Sequence, residues 1–290
     1  MSISKKSHNI SVITVNYNSA HHLNKLLDSL KLILEKIDEI IIIDNNSHDV
    51  DKIKLSKATQ IIKNKNNVGF GKAVNQGILK ARNEIIFLVN PDCYLENKSI
   101  IKTIDKIQKN PKIGAIGGKI KKDKSNHYHY TANSKPTFLT GLFEFTNLKK
   151  IFPNNSISKK FWIENFYKFK KPIEVNSLCG AYIILRKKLG DKLNLFDERF
   201  FLYMEDIDFG DTINEGGYKV IFDPNSEITH VGGASSGSKY NTVLKHWYVS
   251  RKKYFQKHLN PIKSSILTTL FTLEEQFLKF YHRIKSEPYE

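Results

Sequence analysis

Cysteine is scarce in this chain, in which Cys93 and Cys179 are the only two among 290 residues. Two cysteines so far apart provide neither a disulfide framework nor the close ligand spacing of a structural zinc site. A chain with so few thiols is typical of a reducing compartment. We therefore expect a cytoplasmic protein.

Long hydrophobic runs are also missing. Residues 1–15 carry lysines and then a short apolar run that ends before Asn16, which is too short for a signal peptide. The longest uncharged stretch near the C-terminus, residues 264–273, is far below the roughly 20 residues that a membrane-spanning helix needs. We expect a protein that is soluble or bound peripherally to the inner membrane face.

Acidic residues are outnumbered, with 29 Asp and Glu against 46 Lys and Arg, which leaves a formal net charge of +17. Such an imbalance suits an anionic partner: nucleic acid, an acidic membrane surface or a phosphorylated substrate. A hydrophobic content of 40% excludes wholesale disorder. The length is sufficient for one large domain or two small ones.

Strand-like and helix-like segments alternate through the first 120 residues. Apolar runs typical of buried strands fall at residues 10–15, 39–44, 60–64, 84–89 and 113–120. The spacing of apolar residues predicts helices at residues 23–34, 71–81 and 100–107. This alternation predicts an α/β fold with a mostly parallel sheet flanked by helices, whose ligands bind at the carboxyl ends of the strands.

The second half is less regular. Periodicity is poor over about residues 121–172, which we interpret as a partly helical insertion over one face. Strand character resumes in "VNSLCGAYIILRKK", a helix begins near Met204, and "GYKVIFDP" and "SEITHVGG" predict two further strands. Helical stretches then run to the C-terminus. We divide the chain into one domain, residues 1–260, and a C-terminal helical extension, residues 261–290.

Four of the predicted strands are followed by polar clusters, at residues 16–18, 44–47, 67–71 and 90–92. Any one cluster is more often turn or capping chemistry than a binding site. All four would nevertheless lie at the same edge of a parallel sheet. Together they favour a small-molecule site at that edge.

Two of these clusters suit a nucleotide. The segment "NVGFGKAVNQG" matches neither the Walker pattern nor the Rossmann fingerprint. Backbone N–H groups at a helix N-terminus, with Lys72 beside them, still suit a diphosphate. Asp44, at the end of a buried strand, can accept a hydrogen bond from the ring N–H of uracil or thymine, or it can cap the next segment.

The acidic residues and one histidine have more than one interpretation each. Asp92 follows a strand on a turn stiffened by Pro91, and it can hold Mg²⁺ or Mn²⁺ or cap a helix. An acidic cluster at the start of the helix near Met204 either favours the helix dipole or contains a catalytic base; its members are Glu205, Asp206 and Asp208. His230 is structural, a metal ligand or a phosphate contact.

Six motifs together resemble the family 2 glycosyltransferases of GT-A fold and, more narrowly, their bacterial rhamnosyltransferase-like members. The resemblance covers about residues 10–258, and the motifs occur in the family's order: "SVITVNYNS", "IIIIDNNSHD", "NVGFGKAVNQGI", "FLVNPDC", "GAYIILRKK…FDERFFLYMEDIDF" and "ITHVGGAS". It implies a GT-A nucleotide-binding sheet with an acceptor-side insertion and C-terminal helices.

The resemblance also implies a reaction. A sugar, rhamnose being the commonest in this subset, would pass with inversion from a dTDP- or UDP-linked donor to a hydroxyl of a glycan or polyprenyl-diphosphate-linked acceptor. Such reactions belong to bacterial surface polysaccharide synthesis. Processive members carry a Q-x-x-R-W motif and membrane spans, and because neither is present we expect single-sugar addition.

Roles for individual residues follow from the same resemblance. Asp206 matches the family's general base, with Glu205 beside it. Asp92 matches the last acid of the metal-binding D-x-D motif, in which Asn90 stands in place of the first acid. His230 matches a metal-ligand histidine, so a divalent cation, Mg²⁺ or Mn²⁺, is implied.

The remaining expected contacts fall into two sets. Asp44 matches the base-binding aspartate, and we expect the nucleotide and donor to contact Asn16, Tyr17, Asn18, Asp44, Asn67, Gly69, Lys72, Asn75, Asn90 and Asp92. We expect the donor sugar and acceptor to contact Cys179, Gly180, Ala181 and Asp208.

A basic, aromatic helix predicted at residues 242–259 suits an anionic membrane surface. Alternatively, its aromatic residues pack on the domain and its lysines are merely solvated. The two interpretations differ in whether residues such as Arg251, Tyr254 and Phe255 face a membrane surface or the rest of the domain.

Three other functions remain as alternatives. A nucleic-acid binder would use the positive charge, but acids at the strand ends would repel phosphates, and we expect no nucleic-acid partner. A sugar-1-phosphate nucleotidyltransferase would need a Gly-rich, Arg-containing loop on the first strand, which is absent. A non-catalytic protein that binds nucleotide sugars remains open.

Overall fold

The computed structural model describes residues 9–192, 196–232 and 240–284. Three parts of the predictions therefore lie outside the described residues. They are the N-terminal lysines, most of the Gly/Ser loop after His230, and residues 285–290 of the predicted extension.

The strands occur in the predicted order. They are β1 (Ile10–Asn16), β2 (Ile37–Asp44), β3 (Thr59–Lys63), β4 (Ile85–Val89), β5 (Cys93–Tyr94), β6 (Ile113–Lys122), β7 (Ala132–Asn133), β8 (Ile173–Val175), β9 (Ser177–Leu178), β10 (Tyr182–Arg186) and β11 (Lys219–His230). All five strands predicted in the first 120 residues are confirmed, with ends shifted by at most about two residues, as expected for such boundaries.

The α-helices alternate with these strands in the first half and cluster in the second. They are α1 (Ala20–Ser29), α2 (Phe70–Lys80), α3 (Ser99–Lys109), α4 (Phe138–Phe143), α5 (Leu148–Ile151), α6 (Ser156–Phe161), α7 (Leu189–Lys192), α8 (Glu205–Glu215), α9 (Tyr240–His258) and α10 (Pro261–Ile284). Short 3₁₀ helices cover Leu30–Lys36, Val50–Lys52 and Phe166–Lys168.

Within the described residues, nine strands form one mixed sheet in the order β3-β2-β1-β4-β10-β6-β11-β5, with β8 pairing with β11 beside this path. Strands β3, β2, β1 and β4 are parallel, as is the pair of β6 and β11. Between them β10 runs antiparallel to both β4 and β6. The mostly parallel α/β sheet that the sequence predicts is confirmed.

Two local predictions were wrong. The two strands expected in residues 217–233 are one strand, β11, because its pairing with β6 resumes after a bulge between Asp223 and Glu227. The helix expected over residues 23–34 ends at Ser29. Its tighter 3₁₀ continuation, which contains a non-helical residue at Ile33, buries Ile33 and leaves Leu34 exposed.

The core has a layer on each face of the sheet, because neighbouring strand residues point to opposite faces. Val12 of β1 and Phe87 of β4 pack on one face, and Ile13 and Leu88 pack on the other. A third cluster joins the insertion to the C-terminal helices, with residues that include Phe145, Met204, Phe255, Leu267 and Phe271. The partly helical insertion therefore packs on the rest of the protein.

Of the two interpretations of α9, packing on the domain is the one that applies to its buried residues. Tyr254 and Phe255 are fully buried in the third cluster, and the Arg251 guanidinium is buried against Glu274 of α10. The apolar face of α9 is used for packing, as amphipathic helices normally do. Over the described ranges, no helix is both long and apolar enough to cross a bilayer.

Candidate active site

Asn16 and Asp44 end the neighbouring strands β1 and β2 directly opposite each other. The Asn16 Nδ2 donates to Asp44 Oδ1 at 2.8 Å, and the backbone N–H of Ser47 donates to Asp44 Oδ2 at 3.1 Å. The Ser47 hydroxyl also accepts from Asn16 Nδ2 and from the N–H of Asn18. The Asp44 carboxylate is thus held in one orientation. A nucleotide base bound there would hydrogen-bond to carboxylate oxygens that already accept from Asn16 and Ser47.

Ser47 was missed as a site residue, although the "DNNS" sequence is an Asx-turn signal that could have indicated it. The neighbouring Tyr17 is half-buried and Asn18 is exposed. Asn18 has a left-handed backbone with φ of 51°, and its side-chain oxygen accepts from the N–H of His48. The first-strand loop and the loop after β2 are therefore one hydrogen-bonded unit.

The Gly-rich loop packs differently from the prediction. Gly69 has a φ of +88°, and a Cβ there would lie 2.6 Å from the Phe201 carbonyl oxygen. The same carbonyl accepts from the N–H of Phe70 at 2.9 Å. The N–H of Phe70, the first of α2, is therefore occupied, and the binding of a diphosphate at this helix start beside Lys72 stays a prediction. Asn67 supports this turn by accepting from the N–H of Gly69.

Asn75, for which contact with the donor stays a prediction, is hydrogen-bonded within the protein. Its Nδ2 donates to the Phe196 carbonyl at 2.9 Å and its Oδ1 accepts from the Phe196 N–H at 3.0 Å, so the buried amide holds two segments together. Lys72 lies nearby, with its Nζ 3.2 Å from an oxygen of Glu198. Both partners of this ion pair are half-exposed.

Asp92 and His230 meet although 137 residues lie between them in the sequence. They meet because β5 pairs with the end of β11 and sets Cys93 opposite His230. The Nε2 of His230 lies 3.0 Å from Asp92 Oδ1. Burial raises the pKa of Asp92, but the hydrogen bond and charge of His230 lower it by more, so its pKa is below the usual range. Asn90 donates its backbone N–H to the Ala181 carbonyl at 3.2 Å.

The donor atoms at this point fit a divalent cation. The ligand atoms of Asp92, Cys93 and His230 all lie within 4.8 Å of one another. A carboxylate oxygen and an imidazole nitrogen suit Mn²⁺, and the oxygen also suits Mg²⁺. Burial, followed by the charge of Asp92, raises the pKa of Cys93 well above its usual value, so its protonated thiol is a poor ligand. Asp92 and His230 are the two protein ligands that fit.

His129, from the insertion, was missed. Its ring centroid lies 5.0 Å from that of His230, and its Nε2 is buried without a hydrogen-bond partner among the described residues. Burial, followed by the charge of His230, lowers the pKa of His129. The irregular pattern of residues 121–172 gives no indication of which insertion side chain reaches β11.

Asp206 is held at the N-terminus of α8 by two backbone donors. Gly180 N–H donates to its Oδ2 at 3.1 Å, and Ile207 N–H donates to its Oδ1 at 2.9 Å. Gly180 is confined here, since a Cβ at this position would lie 3.3 Å from the Phe70 ring and 3.7 Å from the Asp206 Cβ. Burial raises the pKa of the Asp206 carboxyl despite the two donors.

Glu205, beside it, is the more deeply buried of the two acids. Burial and then the charge of Asp206 raise the pKa of Glu205 well above its usual value. Its Oε2 is buried without a hydrogen-bond partner in the described part of the chain. Two adjacent carboxyls at such a position do not ionise together readily, so the charge of each disfavours the charge of the other.

Cys179 lies between the acidic pair and the Asp92 turn. Burial raises its pKa to about 12, and the charges of Asp206, Glu205 and Asp92 all add to this effect. Ala181 completes the connection, since its carbonyl accepts from the N–H of Asn90 and from the Cys93 thiol. The segment 179–181 therefore joins the two halves of the site.

Asp208 does not belong to this surface. Its buried carboxylate lies 2.7 Å from the Nζ of Lys257 and 2.7 Å from the Nε2 of His258. Both oxygens are bound by the end of α9, and contact of Asp208 with the sugar or acceptor stays a prediction. The residue clamps α8 to α9.

The sheet, the strand-end carboxylates and the acidic helix start together define a GT-A glycosyltransferase. The family model described as "Glycosyl transferase family 2" matches residues 11–187, which is more than half of the chain. The chain therefore belongs to glycosyl transferase family 2, as its motifs predicted.

Curated relatives agree with this assignment. The chain is 26% identical over 240 residues to the N-acetylglucosaminyl-diphospho-decaprenol L-rhamnosyltransferase of two Mycobacterium tuberculosis strains, covering 78% of this chain and 77% of the relative. It is 25% identical over 180 residues to the O-antigen biosynthesis protein RfbC of Myxococcus xanthus, covering 60% of this chain and 13% of that protein.

A solved structure shares the fold. The structure of GalNAc-T7 with UDP, GalNAc and Mn²⁺ superposes with a TM-score of 0.59 at 15% identity, covering 97% of this chain and 58% of that chain. At this identity the likeness concerns the fold, and it confirms the GT-A architecture.

Proposed function

We propose that this protein transfers a single sugar, with inversion, from a nucleoside-diphosphate sugar to a hydroxyl of a glycan or polyprenyl-diphosphate-linked acceptor. The observation that carries the proposal is the position of Asp206, a charged carboxylate held by Gly180 and joined through segment 179–181 to the Asp92–His230 pair. The rhamnosyltransferase and O-antigen relatives support rhamnose as the sugar and surface polysaccharide synthesis as the process.

In the proposed reaction Asp206 accepts the proton of the acceptor hydroxyl. The hydroxyl oxygen forms a bond to the anomeric carbon, and the bond from that carbon to the diphosphate oxygen breaks. The diphosphate leaves with the electron pair, and attack on the opposite face inverts the anomeric centre. A pKa raised by burial makes Asp206 a better proton acceptor than an ordinary aspartate.

Asp92 and His230 would hold Mg²⁺ or Mn²⁺, which when bound neutralises charge on the leaving diphosphate. Only one acid is present because Asn90 replaces the first residue of the motif. The His230 imidazole therefore carries a larger share of the binding. The structural neighbour that was crystallised with UDP and Mn²⁺ supports this assignment.

The polar unit at the ends of β1 and β2 would bind the nucleotide. Asp44, fixed by Asn16 and Ser47, presents carboxylate oxygens that suit the ring N–H of uracil or thymine, so the donor would be UDP- or dTDP-linked. Such donors are made in the cytoplasm, and a lipid-linked acceptor would place the protein peripherally on the inner membrane face.

The test is a panel of dTDP- and UDP-linked sugars, with release of nucleoside diphosphate and sugar transfer as the two readouts. We expect turnover with one donor, its loss in EDTA, and its return with Mn²⁺ or Mg²⁺. Full activity in EDTA would contradict the metal assignment. Donor binding without any turnover would contradict the enzymatic proposal and favour a nucleotide-sugar-binding protein.

A further inference from the structure

Helix α10 has an exposed apolar face. Its members are exposed over 37–76% of their area and comprise Ile262, Ile266, Leu270, Leu273, Phe277 and Phe280. At 3.6 residues per turn they fall within an arc of about 80° and extend over roughly 27 Å of helix. These six residues are called the apolar face of α10 below.

The opposite side of α10 fixes the helix to the protein. Leu267 and Phe271 are fully buried in the third hydrophobic cluster, and Glu274 forms a 2.7 Å ion pair with the buried Arg251 of α9. Because these contacts determine how α10 is rotated, the apolar face points away from the domain.

The charges around the apolar face have one sign. Five exposed polar residues flank it on α10, and they are Lys263, Ser265, Thr269, Gln276 and Lys279. The two carboxylates of the described side chains of α10 lie on the other side, where Glu274 pairs with Arg251 and Glu275 pairs with Lys252 and Lys279. Lys263 therefore borders the apolar face without an exposed carboxylate among the described side chains of α10, whereas Lys279 is paired with Glu275.

We propose that the apolar face of α10 binds an anionic lipid bilayer, with the helix lying in the plane of the interface. An apolar arc flanked by lysines buries its side chains among acyl chains while the ammonium groups meet acidic headgroups. A second copy of the chain fits less well, since the protein carries a net charge of +17 and the exposed Lys263 beside the face would meet no exposed carboxylate among the described side chains of a second α10.

This assignment moves the membrane contact from α9, where the sequence indicated it, to α10. It also places the bilayer close to the catalytic acids. α10 packs on α9, whose Ser250 hydroxyl donates to the Leu202 carbonyl three residues before Glu205. A role in presenting a lipid-linked acceptor rests on the proposed function, but vesicle binding itself does not.

The experiment is co-sedimentation of the full chain with vesicles of phosphatidylcholine alone or with added phosphatidylglycerol. We expect binding to the anionic vesicles that weakens at high salt. The variant Leu273→Glu should lower it about tenfold or more. The matched control is Leu55→Glu, because Leu55 is also 57% exposed but lies far from α10 in the sequence, and it should bind as the parent does. Lys263→Glu should also weaken binding to anionic vesicles.

Three results would overturn the proposal. The first is that the parent protein does not bind anionic vesicles. The second is that the parent and Leu273→Glu bind them equally. The third is a dimer that forms without lipid in sedimentation velocity and that Leu273→Glu dissociates. Turnover of a water-soluble acceptor should be unchanged in Leu273→Glu. Vesicle binding by a protein that turns over no donor would contradict the proposed function and leave this proposal standing.

Discussion

Gly180 donates its backbone N–H to the carboxylate of Asp206, and this 3.1 Å hydrogen bond joins the segment before β10 to the start of α8. The two residues come from parts of the chain that approach only in the folded protein. A carboxylate held in this way has a fixed direction, which a general base needs. The proposed chemistry depends on this contact.

We expect Asp206→Asn to lower kcat by about 10²–10⁴-fold, the usual contribution of general base catalysis. Donor affinity should remain unchanged, because the variant removes the proton acceptor and keeps the shape. The control is Glu205→Gln, which should retain most activity because burial raises the pKa of Glu205 well above its usual value and so disfavours the charged form that a base needs. Measurement of kcat and of donor Kd in both variants checks this, and equal losses in the two would contradict the assignment of Asp206 as the base.

Gly180→Ala should lower kcat by about tenfold, since small displacements of a catalytic group have large effects on rate. The added methyl would lie 3.3 Å from the Phe70 ring, which must yield, and 3.7 Å from the Asp206 Cβ. The variant should bind donor normally and unfold at nearly the parent temperature. Unchanged kcat would show that the Gly180–Asp206 contact does not position the base.

The pH dependence of kcat/KM should follow the ionisation of Asp206. Burial raises its pKa, and only the charged form accepts a proton, so activity should rise with pH through a value above the ordinary aspartate pKa of about 3.9. Below that value the protonated carboxyl is inactive. A profile from pH 4 to 9 with a nucleoside-diphosphate release assay measures the limb, and its position at or below an ordinary aspartate pKa would contradict the buried-base assignment.

Metal binding should depend on Asp92 and His230 and not on Cys93. We expect Asp92→Ala or His230→Ala to weaken Mn²⁺ binding by about 10–100-fold or more, as measured by the electron paramagnetic resonance of free Mn²⁺ in the presence of nucleoside diphosphate. Cys93→Ser should bind Mn²⁺ as the parent does, because the thiol is protonated. A loss of Mn²⁺ binding in Cys93→Ser alone would contradict the assignment of Asp92 and His230 as the ligands.

Asp208 should contribute to stability and not directly to sugar recognition. Asp208→Asn removes the charge that Lys257 and His258 share, and we expect the free energy of unfolding to fall by roughly 3 kcal/mol, the usual effect of breaking a buried pair. Donor KM should change little. The exposed pair of Asp28 and Lys31 provides the control, and Asp28→Asn should leave denaturant unfolding unchanged.

The local patterns of the chain were sufficient for the sheet and for part of the site. Continuous β-branched runs predict buried strands regardless of tertiary context, and each of the five in the first half forms one. Asn16, Asp44 and Asp92 follow such strands, so the edge on which they lie could be predicted. His129 and Ser47 were not assigned in this way. For His129 the reason is that its position depends on how an irregular insertion packs.

Residues whose side chains can serve either binding or packing are the ones that the sequence leaves undecided. Asn75 and Asp208 have polar side chains near the site, and their partners, Phe196 and the end of α9, are distant in sequence. The same holds for α9, whose composition suits a membrane but whose Arg251 finds a buried partner in Glu274. A sequence pattern shows that a side chain is polar or apolar without showing which surface covers it.

By itself, the sequence determined the α/β class, the family motifs and the chemical types at each strand end, because these depend on neighbouring residues and on strand and helix periods. Only the tertiary structure decided that Asp92 meets His230, that burial beside Asp206 raises the pKa of Glu205, and that α10 and not α9 carries the exposed apolar face. The physical reason is that pKa values, ligand sets and exposed surfaces depend on contacts between residues far apart in the chain, and those contacts exist only after packing.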